Sequence, residues 1–424
     1  MILLQIYVVK QGDTLYRIAR RSGIPMEELI YVNQLQAPGV LCVGQSLLLP
    51  QPMTYTVQAG DSLYIIAHRY GLRLQELIAA NPQLRDPDVL HPGQILALPQ
   101  RPTEARTAVV NGYITNTSRQ TLEQSLPSLT FLSAFSYHTD IAGKLKKEVT
   151  VPLSLSEEEG VRNLMTVTNL RGEGGFSGEI AHAVLTDTEA QDALVSNVLN
   201  TVEREGYAGV NLDFEYVFPH DRAAYNQFLA RMSDALHRRK MILVTALAPK
   251  ISDDQKGLLY EAHDYAFHGQ AADYCILMTY EWGYTYSPPM AVAPLDRVRK
   301  VLDYAVTEIP RGKLLMGIPN YGYNWRIPFR KGEAAAALSN VRAVTLAGEV
   351  GAEIGFDETS AAPYYRYQDE TGRQHEVWFE DARSLFAKLG LVEEYELAGV
   401  SFWNLNSLFR TLFETLQSMY RVEK

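Results

Sequence analysis

Eight short apolar runs, separated by stretches of helical character, constrain the fold of this 424-residue chain more than any other feature. Apolar strand-like runs that alternate with helical segments are typical of βα units joined in a parallel sheet. The runs span residues 109–115, 130–137, 164–170, 209–215, 242–247, 274–280, 314–319 and 399–403. Eight such units in roughly 320 residues predict an α/β fold, a (β/α)8 barrel, over residues 105–424.

The spacing between the seventh and eighth runs is too long for a helix alone. Residues 324–380 include two strand-like segments, 361–367 and 376–379. We therefore expect a small α+β insertion, an antiparallel lobe, between barrel strands 7 and 8.

A duplication occupies the first hundred residues. Shifting the chain by 48 positions aligns YVVKQGDTLY, residues 7–16, with YTVQAGDSLY, residues 55–64. In each copy a strand meets Gly-Asp-Thr or Gly-Asp-Ser, which caps a helix; a second helix, 25–32 or 74–80, and a closing strand follow. The pattern predicts two βααβ domains, over residues 5–50 and 54–99.

These repeats resemble LysM modules, and the resemblance covers nearly all of residues 5–99. It implies binding of N-acetylglucosamine chains, in peptidoglycan or chitin, at a shallow groove between the first turn and the second helix. Residues 12–14 and Asn33 can instead serve only as caps and turns. Two weak sites on one chain would gain avidity on a polymer that repeats the ligand.

Charge and cysteine content exclude several classes of partner. The net charge is −10, and the first hundred residues carry as many basic as acidic side chains, so the acidity lies in the C-terminal part. This argues against nucleic acid and against an anionic membrane as partners. Cys42 and Cys275 lie in different predicted domains and indicate neither a disulfide nor a metal cluster. The start of the chain lacks the features of a secretory signal, so we expect another route to its final location.

The fourth run, GVNLDFE at residues 209–215, carries the polar groups of greatest interest. Because side chains alternate along a strand, its apolar residues face the helices, and Asn211, Asp213 and Glu215 face the barrel interior. Burying two carboxylates is expensive unless they are paired or functional. Adjacent negative charges raise the proton affinity of one of them, which suits Glu215 to act as a general acid at the C-terminal mouth.

This run resembles the Asp-Gly-x-Asp-x-Asp-x-Glu signature of glycoside hydrolase family 18. Asp213 and Glu215 match the catalytic pair, whereas Ala208 and Asn211 replace the first two Asp residues. That replacement leaves the pH profile open. Three further segments resemble the same family in the same order: 278–281, with Glu281 in place of Asp, 317–322 and 399–403.

The family resemblance implies a retaining mechanism in which the substrate's own 2-acetamido group replaces a protein nucleophile. Glu215 would protonate the leaving oxygen, Asp213 would hold the acetamido group, and Tyr280 would bind the acetyl oxygen. Asn211 belongs to the same catalytic set. The expected sugar-binding residues are Trp403, as the floor beneath the sugar, with Met278, Glu281, Asn320 and Tyr321. No metal or organic cofactor is implied.

Each of these assignments has a structural alternative. Met278, Tyr280 and Trp403 can be packing residues, and Asn211 can be a structural hydrogen-bonding group. Asp213 and Glu215 can belong to ion pairs, although their strand contains no Arg or Lys.

The combination of two LysM modules, a family 18 barrel and a shortened acidic run resembles the family 18 enzymes that degrade the cortex of bacterial endospores. It implies an N-acetylglucosaminidase that acts on peptidoglycan glycan strands during germination, works as a monomer, and reaches the spore from the mother cell. Two alternatives remain: a chitinase, and a non-catalytic, lectin-like barrel that binds wall glycan. Proteins of the latter kind usually lose the acid, which this chain retains at Glu215.

Overall fold

The computed structural model describes residues 5–36, 39–50, 54–70, 72, 74–84, 86–87, 89–98 and 105–424. Residue 99, the last of the second predicted domain, and the first four residues of the chain lie outside this range. None of the helices in the described part of the chain has the length and hydropathy needed to cross a bilayer.

Eight parallel strands form a closed barrel, as the eight apolar runs predict. The strands are β5 (Thr107–Ile114), β6 (Phe131–Thr139), β8 (Arg162–Thr168), β9 (Gly209–Asp213), β10 (Ile242–Leu247), β11 (Tyr274–Leu277), β12 (Leu314–Pro319) and β18 (Gly399–Trp403). Pairing of β5 with both β6 and β18 closes the barrel. Two short strands extend the sheet, β7 (Leu145–Lys147) beside β6 and β19 (Arg421–Val422) beside β5.

Helices surround the barrel and cover the apolar faces of its strands. They are α5 (Arg119–Ser125), α6 (Ser154–Glu158), α7 (Gly178–Thr186), α8 (Thr188–Glu205), α9 (Arg222–His237), α10 (Tyr265–Ala271), α11 (Leu295–Glu308), α13 (Ala382–Glu394) and α14 (Arg410–Met419). On β9 the predicted alternation holds, since Val210 and Leu212 are buried in the main core, with Phe214 just beyond the strand.

Two of the predicted strands that carry site residues are too long at their C-terminal ends. β9 ends at Asp213 rather than Glu215, and β11 ends at Leu277 rather than Tyr280. Beyond Asp213 the backbone hydrogen-bonds to side chains of neighbouring loops instead of to the next strand. Glu215 and Tyr280 therefore lie on the loops at the barrel mouth.

The predicted insertion is an α+β lobe between β12 and β18. Its elements are β13 (Gly322–Ile327), β14 (Ala336–Leu338), α12 (Asn340–Glu349), β15 (Gly355–Asp357), β16 (Ala362–Gln368) and β17 (Gln374–Trp378). The five strands form an antiparallel sheet in the order β14-β13-β17-β16-β15. The lobe thus begins at Gly322, slightly before the predicted start.

Each N-terminal repeat has the predicted βααβ order. The first comprises β1 (Gln5–Val8), α1 (Leu15–Ser22), α2 (Met26–Val32) and β2 (Ser46–Leu49); the second comprises β3 (Thr54–Thr56), α3 (Leu63–Arg69), α4 (Leu74–Ala79) and β4 (Ile95–Ala97). Thr14 and Ser62 cap α1 and α3 by accepting a backbone hydrogen bond in each case. Asn33 joins α2 to β2 through both its amide oxygen and its amide nitrogen, which contact Leu48 at 2.6 and 2.8 Å.

The first repeat packs against the barrel and the lobe. The Gln34 side chain bonds the Leu408 carbonyl at 3.2 Å and accepts from the Arg410 backbone at 2.6 Å. Cys42 packs into an apolar cluster of the lobe, and the Ile354 N–H donates to the Val43 carbonyl at 2.9 Å. The second repeat has an apolar cluster of its own.

Candidate active site

A cavity of about 400 Å³ opens at the C-terminal mouth of the barrel. This is the size of a pocket for a small ligand and the place where active sites of this fold lie. It is lined by Tyr113, Phe135, Leu170, Phe176, Asp213, Glu215, Pro249, Leu259, Tyr260, Met278, Tyr280, Glu281, Trp282 and Trp403. The lining is mainly aromatic and apolar, and its ionisable carboxyl groups are Asp213, Glu215 and Glu281.

Asp213 and Glu215 both line this cavity. Asp213 is 4% exposed, and one of its carboxylate oxygens has no hydrogen-bond partner among the described residues. Burial raises the pKa of Asp213, and burial together with the charges of Asp213 and Glu281 raises the pKa of Glu215 well above its usual range. The pair therefore retains a proton at a pH where an exposed carboxyl group has lost it.

Two buried side chains fix the backbone that carries Glu215. The Asn169 amide oxygen accepts from the Glu215 N–H at 3.0 Å, and its amide nitrogen donates to the Glu215 carbonyl at 2.8 Å. His263 accepts from the Ala248 N–H at Nδ1, so its proton lies on Nε2, which donates to the Phe214 carbonyl at 3.0 Å. Burial lowers the pKa of His263 to about 4, which keeps the ring neutral.

Asn211 lies beneath the cavity and does not line it. It is fully buried, and its amide nitrogen donates to the Tyr113 hydroxyl at 2.7 Å and to Ser133 Oγ at 3.0 Å. Tyr113 does line the cavity. The geometry thus gives Asn211 a supporting position below the aromatic wall, without direct access to a substrate.

Tyr280 and Glu281 follow β11 and reach the cavity from the side. Burial raises the pKa of Tyr280 well above its usual range, so its hydroxyl keeps a proton to donate. Glu281 has a left-handed backbone, with φ of 65°, and its carboxylate accepts hydrogen bonds from Tyr321 and Tyr323. Tyr321 therefore contacts Glu281 and does not itself line the cavity.

An aromatic cluster forms the apolar side of the cavity. The Trp403 ring packs edge-on against Phe135, with 5.0 Å between ring centroids, and against Tyr113 at 5.2 Å. Met278 lines the cavity and is partly buried against the main core. A flat aromatic face beside carboxyl groups suits a sugar ring, which has apolar and polar faces.

Comparison with known proteins agrees with this geometry. The model of the glycosyl hydrolases family 18 matches residues 116–407, and the LysM domain model matches residues 7–50 and 55–99. This chain belongs to glycosyl hydrolase family 18. The predicted family and both LysM domains are confirmed.

Whole-length relatives within the family share the same architecture. The chain is 41% identical to a cortical fragment-lytic enzyme of Bacillus subtilis (strain 168), over 99% of each chain. It superposes on the crystal structure of the Bacillus megaterium QM B1551 spore cortex-lytic enzyme SleL with a TM-score of 0.88 and 36% identity, covering 100% of both chains. A chitinase from Chromobacterium violaceum ATCC 12472 is 28% identical with a TM-score of 0.69, and covers 74% of this chain and 100% of that one.

Two predicted sugar-binding residues of this family 18 chain, Asn320 and Tyr321, do not line the cavity. Asn320 is 5% exposed, and its amide nitrogen donates to the carbonyls of Asn404 at 3.0 Å and Ser407 at 2.9 Å. Both of its amide protons are thus used to hold the loop after β18. The expectation that Asn320 lines the groove is corrected, because its side chain is turned into that loop.

The sequence-based prediction also missed several residues of the family 18 cavity. Tyr113 and Phe135 come from the first two barrel strands, and Leu170, Phe176, Leu259, Tyr260 and Trp282 come from loops. The strand residues carry a signal, since each is an aromatic near the C-terminal end of a predicted strand. The loop residues carry none, because a loop's path depends on its neighbours.

Proposed function

We propose that this chain is an N-acetylglucosaminidase that hydrolyses the peptidoglycan of the bacterial spore cortex during germination. The observation that carries the proposal is the whole-length likeness to cortical fragment-lytic enzymes, both LysM modules included. The retained carboxyl pair, Asp213 and Glu215, in an aromatic cavity supports catalysis rather than glycan binding alone.

In the first step protonated Glu215 donates its proton to the glycosidic oxygen. The bond from the anomeric carbon to that oxygen breaks while the acetamido oxygen of the same sugar attacks the anomeric carbon, giving an oxazolinium ion. Asp213 orients the acetamido group and stabilises the positive charge, and the Tyr280 hydroxyl donates to the acetyl oxygen. Trp403 forms the apolar face beneath the sugar.

In the second step Glu215, now a carboxylate, takes a proton from water. That water attacks the anomeric carbon and opens the oxazolinium ring, so the product keeps its anomeric configuration. The residue that acts as an acid in one step acts as a base in the next, which requires a pKa that is raised into the working range. Burial and the two neighbouring carboxyl groups supply that shift at Glu215.

Peptidoglycan glycan strands are the proposed partner, bound by the two LysM modules and presented to a barrel that acts as a monomer. The proposed location is the spore, with synthesis in the mother cell. A chitinase is the second candidate, because a chitinase structure covers 74% of this chain at 28% identity.

The test is mass spectrometry of products from purified spore cortex peptidoglycan and, in parallel, from chitin oligomers. We expect muropeptides that end in a reducing N-acetylglucosamine from the wild type. Glu215→Gln should lose about 10²–10⁴-fold in rate, since it removes the acid. Glu353→Gln, on the exposed surface of the lobe, is the matched control and should keep full activity.

Other products would contradict the proposal in distinct ways. Cleavage of chitin oligomers without cleavage of cortex would assign a chitinase. Binding of cortex without cleavage of either substrate would assign a wall-binding barrel. Full hydrolysis by Glu215→Gln would overturn the role of Glu215 while leaving the substrate assignment intact.

A further inference from the structure

Two histidines and an aspartate meet next to the loop that leaves the catalytic strand, outside the catalytic cavity. His182 lies on α7, and His220 and Asp221 lie between β9 and α9. Nδ1 of His182 is 2.9 and 3.0 Å from the two carboxylate oxygens of Asp221. Nε2 of His220 is 3.7 Å from Oδ1 of Asp221, and the three groups offer ligand atoms that all lie within 4.8 Å of one another.

The charge of Asp221 needs a counterpart. The Asp221 side chain is only 3% exposed, and within the described residues its ionic partners are the two imidazoles. A buried carboxylate is costly unless an opposite charge accompanies it. A divalent cation between the three groups would supply that opposite charge, and each imidazole offers it one nitrogen ligand.

The donor set is one that zinc uses. Two imidazole nitrogens and one carboxylate oxygen are three protein ligands of a tetrahedral Zn²⁺ site that keeps a fourth position for water. With bonds of this length, ligand atoms are about 3.3 Å apart, and the observed 2.9 and 3.7 Å separations lie on either side of that value.

The His220 ring has room to complete such a site. Its side chain is 69% exposed, so a small rotation can bring Nε2 closer, and an ion can enter from solvent. Phe218 stacks on the His220 ring at 5.4 Å between centroids, which holds the ring near His182.

We propose that His182, His220 and Asp221 bind a divalent transition metal, and that Zn²⁺ is the ion their donor set fits best. The metal would link α7 to the loop that follows Glu215. These two elements already touch, since a Cβ on Gly178 would lie 2.7 Å from the Phe218 ring and 2.8 Å from the Tyr216 carbonyl oxygen. The metal would lie outside the catalytic cavity, because none of the three ligands lines it.

Isothermal titration calorimetry tests the site. ZnCl₂ is titrated into full-length protein that carries no affinity tag and has been treated with a chelator, and the stoichiometry and affinity are measured. We expect one Zn²⁺ per chain for the wild type. His220→Ala and His182→Ala should each bind at least about tenfold more weakly, because loss of a group that merely orients a ligand already costs roughly 10–100-fold. The thermal unfolding midpoint should rise with Zn²⁺ in the wild type and not in His220→Ala.

His237→Ala is the matched control. His237 is a half-exposed histidine that lies 2.9 Å from Asp273, and it belongs to no three-ligand group within the described residues. Its removal should leave zinc binding unchanged. Absence of zinc binding by the wild type, or equal binding by His220→Ala, would overturn the proposal. The cluster would then be only a hydrogen-bonded contact between His182 on α7 and Asp221. Because His220 is exposed, its substitution tests the site without threatening the fold.

Discussion

Single charges in the cavity decide when Glu215 holds its proton. Burial and the carboxyl groups of Asp213 and Glu281 raise the pKa of Glu215, and the cavity lining within the described residues contains no Lys or Arg to oppose them. Asn211 occupies a position where the family signature has a further Asp, so this chain has one negative group fewer beneath the pair. Glu281 is the carboxyl group that can be substituted with least disturbance, since it lies at the edge of the group and accepts hydrogen bonds from two tyrosines.

Glu281→Gln should move the alkaline limb of the pH profile of kcat/KM to lower pH. Removing a negative neighbour lowers the pKa of Glu215, so the acid loses its proton sooner as the pH rises. The amide oxygen can still accept from Tyr321 and Tyr323, which preserves the local packing. Initial rates on soluble glycan fragments across the pH range measure the limb, and Glu353→Gln serves again as the control. An alkaline limb at the same pH as in the wild type, or at a higher pH, would show that Glu281 does not act on Glu215 by its charge.

At the scale of elements, the loops after the barrel strands position the chemistry more than the strands themselves. Glu215 lies beyond the end of β9, and its backbone is held from the loop after β8 by Asn169 and from the loop after β10 by His263. Three consecutive βα units therefore converge on one short segment. These backbone contacts therefore position the Glu215 carboxyl group.

Asn169→Ala should lower kcat while changing KM little. The substitution removes both hydrogen bonds to the Glu215 backbone, and a small displacement of a catalytic group can cost about 10²-fold in rate. Asn163→Ala is the matched control, because Asn163 lies near the opposite end of β8 and bonds Ser156 and the Leu153 carbonyl. Asn163→Ala should lower the unfolding temperature without lowering kcat. Equal loss of kcat in both variants would mean that Asn169 supports the barrel in general rather than Glu215.

At the scale of the whole molecule, the first LysM module packs directly against the catalytic domain. Gly44 of the first module has φ of +82°, and a Cβ there would lie 1.8 Å from the Ile354 carbonyl oxygen of the lobe. Gly93 is the matching residue of the second module, has φ of +88°, and would meet nothing within 4 Å. A cavity of about 180 Å³ also lies between the first module and the lobe. The same glycine of the repeat therefore lies against the lobe in the first module and has open space around it in the second.

Gly44→Ala should detach the first module, and Gly93→Ala should not affect it. Both substitutions carry the same left-handed backbone strain, about 1–2 kcal/mol, so their difference isolates the contact with Ile354. Small-angle X-ray scattering should give a larger radius of gyration for Gly44→Ala alone. The same radius for both variants would show that the module stays docked through Gln34 and Cys42 without close approach at Gly44.

Much of the architecture was readable from local patterns. The eight strands, the insertion and the two βααβ repeats follow from periodicity, and periodicity is a local property that burial on one face imposes on each element. The inward-facing positions of Asn211 and Asp213 follow from the same alternation, whereas Glu215 lies beyond the end of β9. These features depend on neighbours along the chain, so the sequence alone determined them.

Tertiary structure decided the rest. It turned Asn320 into the loop after β18, placed Tyr113, Phe135 and Tyr260 around the cavity, and set Asn169 and His263 against the backbone of Glu215. It also docked one of two similar modules and brought His182 to Asp221. Each of these outcomes depends on contacts between residues far apart in the chain, where no local period restricts the choice of partner.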